Sequence, residues 1–264
     1  MQIYSGRHGY FLTAFVISLI SLHASFALGN ELDLILQRGD RYYSDFNNLE
    51  ALKEYSKAYE IDSEKYEILM RITRAYNDIG EDYKEQGSNE AEVYFVKAFE
   101  YSEIMEKMFP QRAETYFYLA ATRGNLALFK GGKDKVKLGR YVEIYAKKSI
   151  EIKPDYGEPH VALGVYYREV ANLNWFLKKF AKAFFGGLPG VSNEDSLKAL
   201  LKAEQLLPRS VYVQFELGKT HKMIGNEKRT KEHFNKALNL PNTDHRDKYF
   251  KNHILSYLEE QSEE

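Results

Sequence analysis

Small and apolar residues recur at fixed distances along most of the chain. An apolar residue stands nine positions after each of Ser63, Pro110, Pro154 and Pro208, and the residue that follows it is small or fairly small each time. A small residue on one helix lets a second helix approach closely, and proline ends a helix because it cannot continue the hydrogen-bond ladder. The pattern therefore predicts helix pairs that stack in sequence, since one pair alone cannot bury its apolar face.

The spacing of Leu163, Gly164 and Tyr167 within this pattern resembles the tetratricopeptide repeat (TPR), whose unit is two antiparallel helices in about 34 residues. The resemblance implies an all-α fold, a right-handed α-solenoid of about five TPR-like helix pairs. Each pair would bury its apolar face against the next pair along the chain. The predicted pairs cover 31–62, 64–108, 112–152, 155–207 and 210–240.

Two segments depart from the repeat. An insertion at 171–193 places apolar residues on one helical face and three lysines on another before it reaches a glycine stop, so it predicts an inserted amphipathic helix. The stretch 243–258 has the pattern of a C-terminal capping helix, whose apolar side chains would cover the end of the solenoid. With these additions, the predicted TPR-like helical-repeat domain covers 31–260.

Two strings within the repeats carry a closer likeness. The string from Glu169 to Trp175 and the string from Phe184 to Pro189 resemble the regulator of microtubule dynamics family, and the resemblance is strongest over 155–241. It implies a helical-repeat protein and offers no catalytic residue to carry over. Eukaryotic members of that family are often anchored at organelle membranes, and some are implicated in contact-site tethering and lipid binding.

The order of residues at the N-terminus is typical of a secretory signal peptide over 1–27. Arg7 precedes an apolar run, and small residues follow up to Ala27, so cleavage is predicted after Ala27. The run is shorter than the roughly 20 apolar residues that a spanning helix needs, and an uncleaved N-terminal membrane anchor is the alternative. We therefore expect a secreted or periplasmic protein, which would not meet tubulin.

Composition and motifs argue against several classes of function. With 37 basic and 38 acidic residues, the net charge of −1 does not favour a nucleic-acid partner. The chain has no cysteine, so disulfides and thiolate sites are excluded. Its seven histidines lack the His-Glu-x-x-His spacing of zinc hydrolases. We expect no enzyme, with no catalytic residue, no metal site and no cofactor.

The first helix of each predicted pair should line the concave face of the solenoid. Its fifth position is apolar in every pair, and an apolar stripe left in water costs about 25 cal/mol per Å². Lysine, arginine and asparagine near that stripe would give a bound peptide its charge-assisted hydrogen bonds. The candidate concave-groove residues are Met70, Arg74, Asn77, Phe117, Asn125, Val161, Arg168, Phe215, Lys219 and Lys222.

The sequence leaves three alternatives for what covers this groove: the inserted helix as permanent core, a protein or peptide partner, or a lipid. The sequence favours a non-enzymatic binding or scaffold protein for a protein or peptide partner. A carrier of a lipid or other hydrophobic small molecule in the central channel is the alternative. The inserted helix also resembles an interfacial helix, although membrane contact is less favoured than burial. Its candidate membrane or partner residues are Trp175, Lys178, Lys179 and Lys182.

Overall fold

The computed structural model describes residues 30–261, and every regular element within that range is an α-helix. This confirms the predicted all-α solenoid. The helices are α1 (30–44), α2 (Asn48–Ile61), α3 (Tyr66–Glu85), α4 (Ala91–Met108), α5 (Ala113–Lys130), α6 (Gly132–Gly139), α7 (Val142–Ile152), α8 (Glu158–Ala171), α9 (Trp175–Phe185), α10 (Asn193–Leu206), α11 (Val211–Met223), α12 (Glu227–Asn239) and α13 (Asp247–Glu260).

The helices pack as successive pairs: α1 with α2, α3 with α4, α5 with α7, α8 with α10, and α11 with α12. The short helix α6 lies inside the third pair and α9 lies inside the fourth. The small residues of the repeat are where the two helices of a pair come closest. A Cβ atom on Gly218 would lie 2.3 Å from the ring of Phe234, and one on Gly164 would lie 2.5 Å from Leu200. The small-residue positions therefore set the distance between paired helices.

The inserted helix α9 lies outside the concave groove. Its start is capped by Asn174, whose side chain accepts a hydrogen bond from the backbone of Leu177, and it ends at Gly186, which adopts a left-handed conformation with φ 76°. Its buried side packs on α6 through Leu177, Ala181 and Val136. The interpretation that this helix fills the groove as permanent core is therefore wrong, because its apolar face is used against α6.

The C-terminal segment, residues 243–260, does more than cover the end of the solenoid. The ring of Phe250 in α13 stacks on Tyr212 and Phe215 of α11, with ring centres 4.9 and 4.8 Å apart. The same segment reaches α3 of the second pair, where Tyr249 donates a hydrogen bond to Asp82 at 3.1 Å. The C-terminal segment thus joins the last pair to the second pair across the concave side.

Candidate functional site

A cavity of about 680 Å³ lies on the concave side of the solenoid. Helices α3, α5 and α8 contribute to its walls, and residues of the C-terminal segment close one side. Its volume falls within the range of roughly 300–1,000 Å³ that is usual for ligand sites. The apolar part of the wall includes Phe117, Ala121, Leu128, Val161, Ala162 and Val165.

Half of the predicted groove residues line this cavity. Arg74 and Asn77 come from α3, Phe117 and Asn125 come from α5, and Val161 comes from α8. These helices are the first members of three successive pairs, so the repeat register brings the five side chains around one space. The other five predicted residues lie elsewhere: Met70, Arg168, Phe215, Lys219 and Lys222.

Arg168 is a structural residue rather than a groove donor. Its side chain is 2% exposed and forms an ion pair with the carboxylate of Glu216 in α11. It also donates a hydrogen bond to Thr220 Oγ1 at 3.0 Å. Burial alone would raise the pKa of Glu216, but the charges of Arg168 and Lys219 outweigh it and lower that pKa. Because these partners occupy the guanidinium, the prediction that Arg168 is a donor in the groove is wrong.

Of the predicted groove residues of the last pair, only Phe215 is buried, under the C-terminal segment. The ring of Phe215 lies against that of Phe250. Lys219 Nζ lies 5.0 Å from the ring centre of Phe215, and Lys222 Nζ lies 4.0 Å from the ring centre of Tyr257 in α13. These lysines therefore pack against aromatic rings instead of lining the cavity.

The remaining predicted residues also lie away from the cavity. Met70 packs between the second and third pairs, where the Tyr118 hydroxyl donates to its sulfur at 3.9 Å. The inserted helix α9 presents its predicted partner residues to solvent, and Trp175 is 73% exposed. With Phe176 and Phe184 they make up the large solvent-exposed side chains of this helix, called the α9 surface: Trp175, Phe176, Lys178, Lys179, Lys182 and Phe184.

Polar side chains gather at the α3 end of the cavity. Asn125 Nδ2 donates hydrogen bonds to Asn77 Oδ1 at 2.9 Å and to Glu81 Oε1 at 2.8 Å. The guanidinium of Arg74 lies 3.6 Å from the ring centre of Tyr43, and its buried Nε has no hydrogen-bond partner among the described residues. A buried donor without an acceptor is costly. The Nε of Arg74 is therefore an unsatisfied donor buried at this end of the cavity.

A histidine from the C-terminal segment is buried among the carboxylates of α3. His245 Nδ1 lies 3.0 Å from Asp82 Oδ1, and Nε2 lies 3.6 Å from both Asp78 Oδ1 and Glu81 Oε2. Burial alone would lower the pKa of His245, but the charge and hydrogen bonding of the carboxylates outweigh it and raise that pKa to about 12. Beside it, Arg246 Nη1 pairs with Glu81 Oε1 at 3.3 Å. These charges fasten the C-terminal segment to the second pair.

Sequence reasoning missed this cluster around His245. The acidic residues at 78, 81 and 82 share one face of α3 by helical spacing, which was a usable signal. Their partner, however, comes 163 positions after Asp82. The repeat pattern relates each pair to its neighbours only, so it gives no indication that the C-terminal segment returns to the second pair.

Curated relatives match most of the chain. Regulator of microtubule dynamics protein 3 of Rattus norvegicus is 27% identical over 223 residues, which cover 83% of this chain and 47% of the relative. Regulator of microtubule dynamics protein 1 of Bos taurus is 26% identical over 251 residues, which cover 94% of this chain and 78% of the relative. The chain thus spans about half the length of the type 3 relative. These names describe regulators rather than enzymes.

A solved structure supports the fold independently. A thermophilic TPR protein of Thermus thermophilus matches with a TM-score of 0.63 at 16% identity, over 86% of this chain and 98% of its own. At this identity the similarity shows the fold alone. Together with the helix pairs, it confirms the predicted TPR-like architecture.

The comparisons correct the predicted location. The relatives are named as regulators of microtubule dynamics, and microtubules are polymers of the cell interior, so the prediction of a secreted or periplasmic protein is wrong. The predicted signal peptide over 1–27, its cleavage after Ala27 and the alternative N-terminal anchor all fall outside the described residues. Within 30–261, no helix is long and apolar enough to cross a membrane.

A family model supports the same relationship over nearly the whole described range. The model described as Regulator of microtubule dynamics protein 1-3 matches residues 35–262. The match begins within α1 and continues through α13. It therefore includes the five helix pairs, the inserted helix α9 and the C-terminal segment. The chain belongs to the regulator of microtubule dynamics family.

Proposed function

We propose that this chain is a non-enzymatic binding and scaffold protein, and that its concave cavity receives a short, mostly apolar segment of a protein partner. The observation that carries the proposal is the cavity of about 680 Å³ enclosed by three successive pairs and the C-terminal segment. A space of this size suits a short segment better than a long peptide laid along the whole solenoid, because Phe250 of the C-terminal segment packs on Phe215 of the last pair.

The chemistry of the wall indicates how such a segment would be held. Val161, Ala162 and Val165 offer an apolar surface in the middle of the cavity. At the α3 end, Arg74 belongs to the cavity wall, and its guanidinium supports binding of an acceptor such as a carboxylate, since charge-assisted hydrogen bonds are stronger than neutral ones. A partner segment with apolar side chains and one acidic group fits both parts of the wall.

A hydrophobic small molecule, such as a lipid with an acidic head, is the second candidate for the same cavity. The observation that favours it is the mostly apolar wall, which includes Tyr156 and Leu207 and would remove part of an acyl chain from water. The protein would then act as a carrier rather than as a scaffold.

One purification experiment separates these candidates. Wild-type protein, Ala162→Trp and Val93→Trp are each purified from native cells without detergent, and bound proteins and lipids are identified by mass spectrometry. Ala162→Trp fills the cavity, whereas Val93 lies on α4 and is 63% exposed. The proposal expects a partner protein with wild type and Val93→Trp that is lost with Ala162→Trp. Stoichiometric lipid with the same pattern of loss would favour the carrier, and retention of both ligands by Ala162→Trp would contradict both candidates.

The α9 surface is a second contact for a protein partner in this proposal. Trp175, Phe176 and Phe184 are 73%, 51% and 70% exposed, which is unusual for large aromatic side chains grouped on one short helix. Lysines at 178, 179 and 182 accompany them. Exposed aromatic side chains and lysines on one helix suit an acidic protein surface. Binding to anionic vesicles would instead identify a membrane surface as the occupant.

A further inference from the structure

Two side chains of α3 and one from the C-terminal segment each place one ligand atom close to the other two. Asp78 and Glu81 lie on α3, and His245 belongs to the C-terminal segment; their facing atoms all lie within 4.8 Å of one another. We propose that Asp78, Glu81 and His245 bind a zinc ion that fastens the C-terminal segment to the second helix pair.

The distances among these atoms fit a zinc ion better than they fit hydrogen bonds. His245 Nε2 is 3.6 Å from Asp78 Oδ1 and 3.6 Å from Glu81 Oε2. Both distances exceed those of an N–H···O hydrogen bond, which end near 3.2 Å. Two ligand atoms that are each about 2.1 Å from a tetrahedral zinc ion are about 3.4 Å apart. A small closure around the ion would bring the three atoms to bonding distance.

The other polar atom of each ligand side chain is already held. The Tyr43 hydroxyl donates to Asp78 Oδ2 at 3.0 Å, and Asn125 donates to Glu81 Oε1 at 2.8 Å. His245 Nδ1 donates to Asp82 Oδ1 at 3.0 Å, which leaves Nε2 as the atom for a metal. Metal-bound histidines usually donate their second ring N–H to a carboxylate in this way, and the contact orients the ring.

The facing atoms are held only by long contacts: His245 Nε2 forms ion pairs of 3.6 Å with Asp78 and with Glu81. His245 is 3% exposed, and neither its Nε2 nor Glu81 Oε2 has a hydrogen-bond partner within the described part of the chain. Asp78 Oδ1 accepts only a long hydrogen bond of 3.4 Å from Asn77. Buried polar atoms are nearly always satisfied, and leaving one without a partner is costly. A single zinc ion that displaces the proton of His245 Nε2 would satisfy all three atoms.

The surrounding charge also favours a divalent cation. Four carboxylates, those of Asp78, Glu81, Asp82 and Asp244, lie within 4 Å of the His245 ring. Arg246 is occupied by Asp244, at 2.8 Å, and by Glu81. Zinc suits this set better than calcium or magnesium because one ligand is an imidazole, whereas those two ions prefer oxygen ligands alone.

The test uses zinc alone as the probe and compares three substitutions. The full chain is stripped with a chelator and dialysed against ZnCl₂, and bound zinc is measured by elemental analysis over a range of free concentrations. Asp78→Asn and His245→Gln each remove one ligand. His253→Gln is the matched control, because His253 also faces a carboxylate of α3, Glu85 Oε2 at 2.9 Å, but is exposed and outside the cluster.

We expect one zinc ion per chain in the wild type and in His253→Gln, with binding at least about 100-fold weaker in Asp78→Asn and His245→Gln. Zinc should also raise the melting temperature of the wild type and of His253→Gln only, because the ion binds the folded state. Far-ultraviolet circular dichroism establishes that Asp78→Asn is folded, so its loss of zinc reports the ligand. Wild-type protein without stoichiometric zinc, or zinc retained by both ligand variants, would overturn the proposal.

Discussion

Replacing Gly218 by alanine tests the claim that small residues set the spacing between paired helices. The new Cβ would lie 2.3 and 2.4 Å from two ring carbons of Phe234, well inside the ordinary contact distance of about 3.5–4.0 Å between carbon atoms. The Phe234 ring cannot retreat freely, because it lies against Phe215 and, edge to face, against Tyr257. Overpacking of this kind costs about 1–3 kcal/mol.

The matched control is Gly124→Ala, which makes the same substitution within α5. Its Cβ would lie 3.7 Å from Val142, which is ordinary contact. Alanine gains about 1 kcal/mol over glycine in a helix interior at both sites, so this gain cancels and the difference between the variants isolates the steric cost. We expect Gly124→Ala to be more stable than Gly218→Ala by about 1–3 kcal/mol.

Thermal unfolding followed by circular dichroism measures this difference. Each kcal/mol shifts the melting temperature of a chain of this size by about 2–4 °C, so the two alanine variants should melt several degrees apart. Urea unfolding should give the same order. Equal melting temperatures for the two variants would refute the claim that Gly218 is needed for the approach of α12 to α11.

Three other predictions follow from the buried ion pair and the exposed helix. Arg168→Met should cost about 3–5 kcal/mol in urea unfolding because it leaves the buried Glu216 carboxylate with only the partly exposed Lys219 beside it. Lys198→Met, in an exposed pair, should cost less than about 1 kcal/mol. The pKa of Glu216 in the folded state is lowered from 4.5. The contribution of Glu216 to stability should therefore be complete above pH about 4.5 and decline as the pH falls through the lowered pKa. A difference in unfolding free energy between wild type and Arg168→Met that stays constant down to pH 2 would contradict this. Trp175→Ser with Phe184→Ser should leave the melting temperature unchanged within about 2 °C, since both side chains are exposed, and should weaken capture of the partner.

Much of the solenoid follows from local sequence. The nine-residue steps and the small residues after them predict the helix pairs because each pair packs mainly on its neighbours. Gly164 and Gly218 show the physical basis, since the paired helix supplies a bulky side chain at the place where a Cβ is missing. The same register explains why Arg74, Asn125 and Val161 reach one cavity.

Contacts between distant parts of the chain could not be predicted in this way. The pattern places Arg168 near the concave face, but only the structure shows that Glu216 of the next pair occupies it. Likewise, an amphipathic pattern gives α9 an apolar face without telling which helix covers it, and α6 does so. The return of His245 to α3 depends on the accumulated turn of the whole solenoid, which no single repeat encodes.

Photo-crosslinking from the cavity is the most direct test of the central claim that this space binds a partner segment. A photoreactive amino acid replaces Ala162 in the cavity wall or, as the control, the exposed Val93, and the adducts formed in native cells are mapped by mass spectrometry. The account predicts an adduct with one short segment of a partner protein from position 162 that is absent from position 93. The absence of a protein adduct at position 162, or the same adducts from both positions, would contradict it.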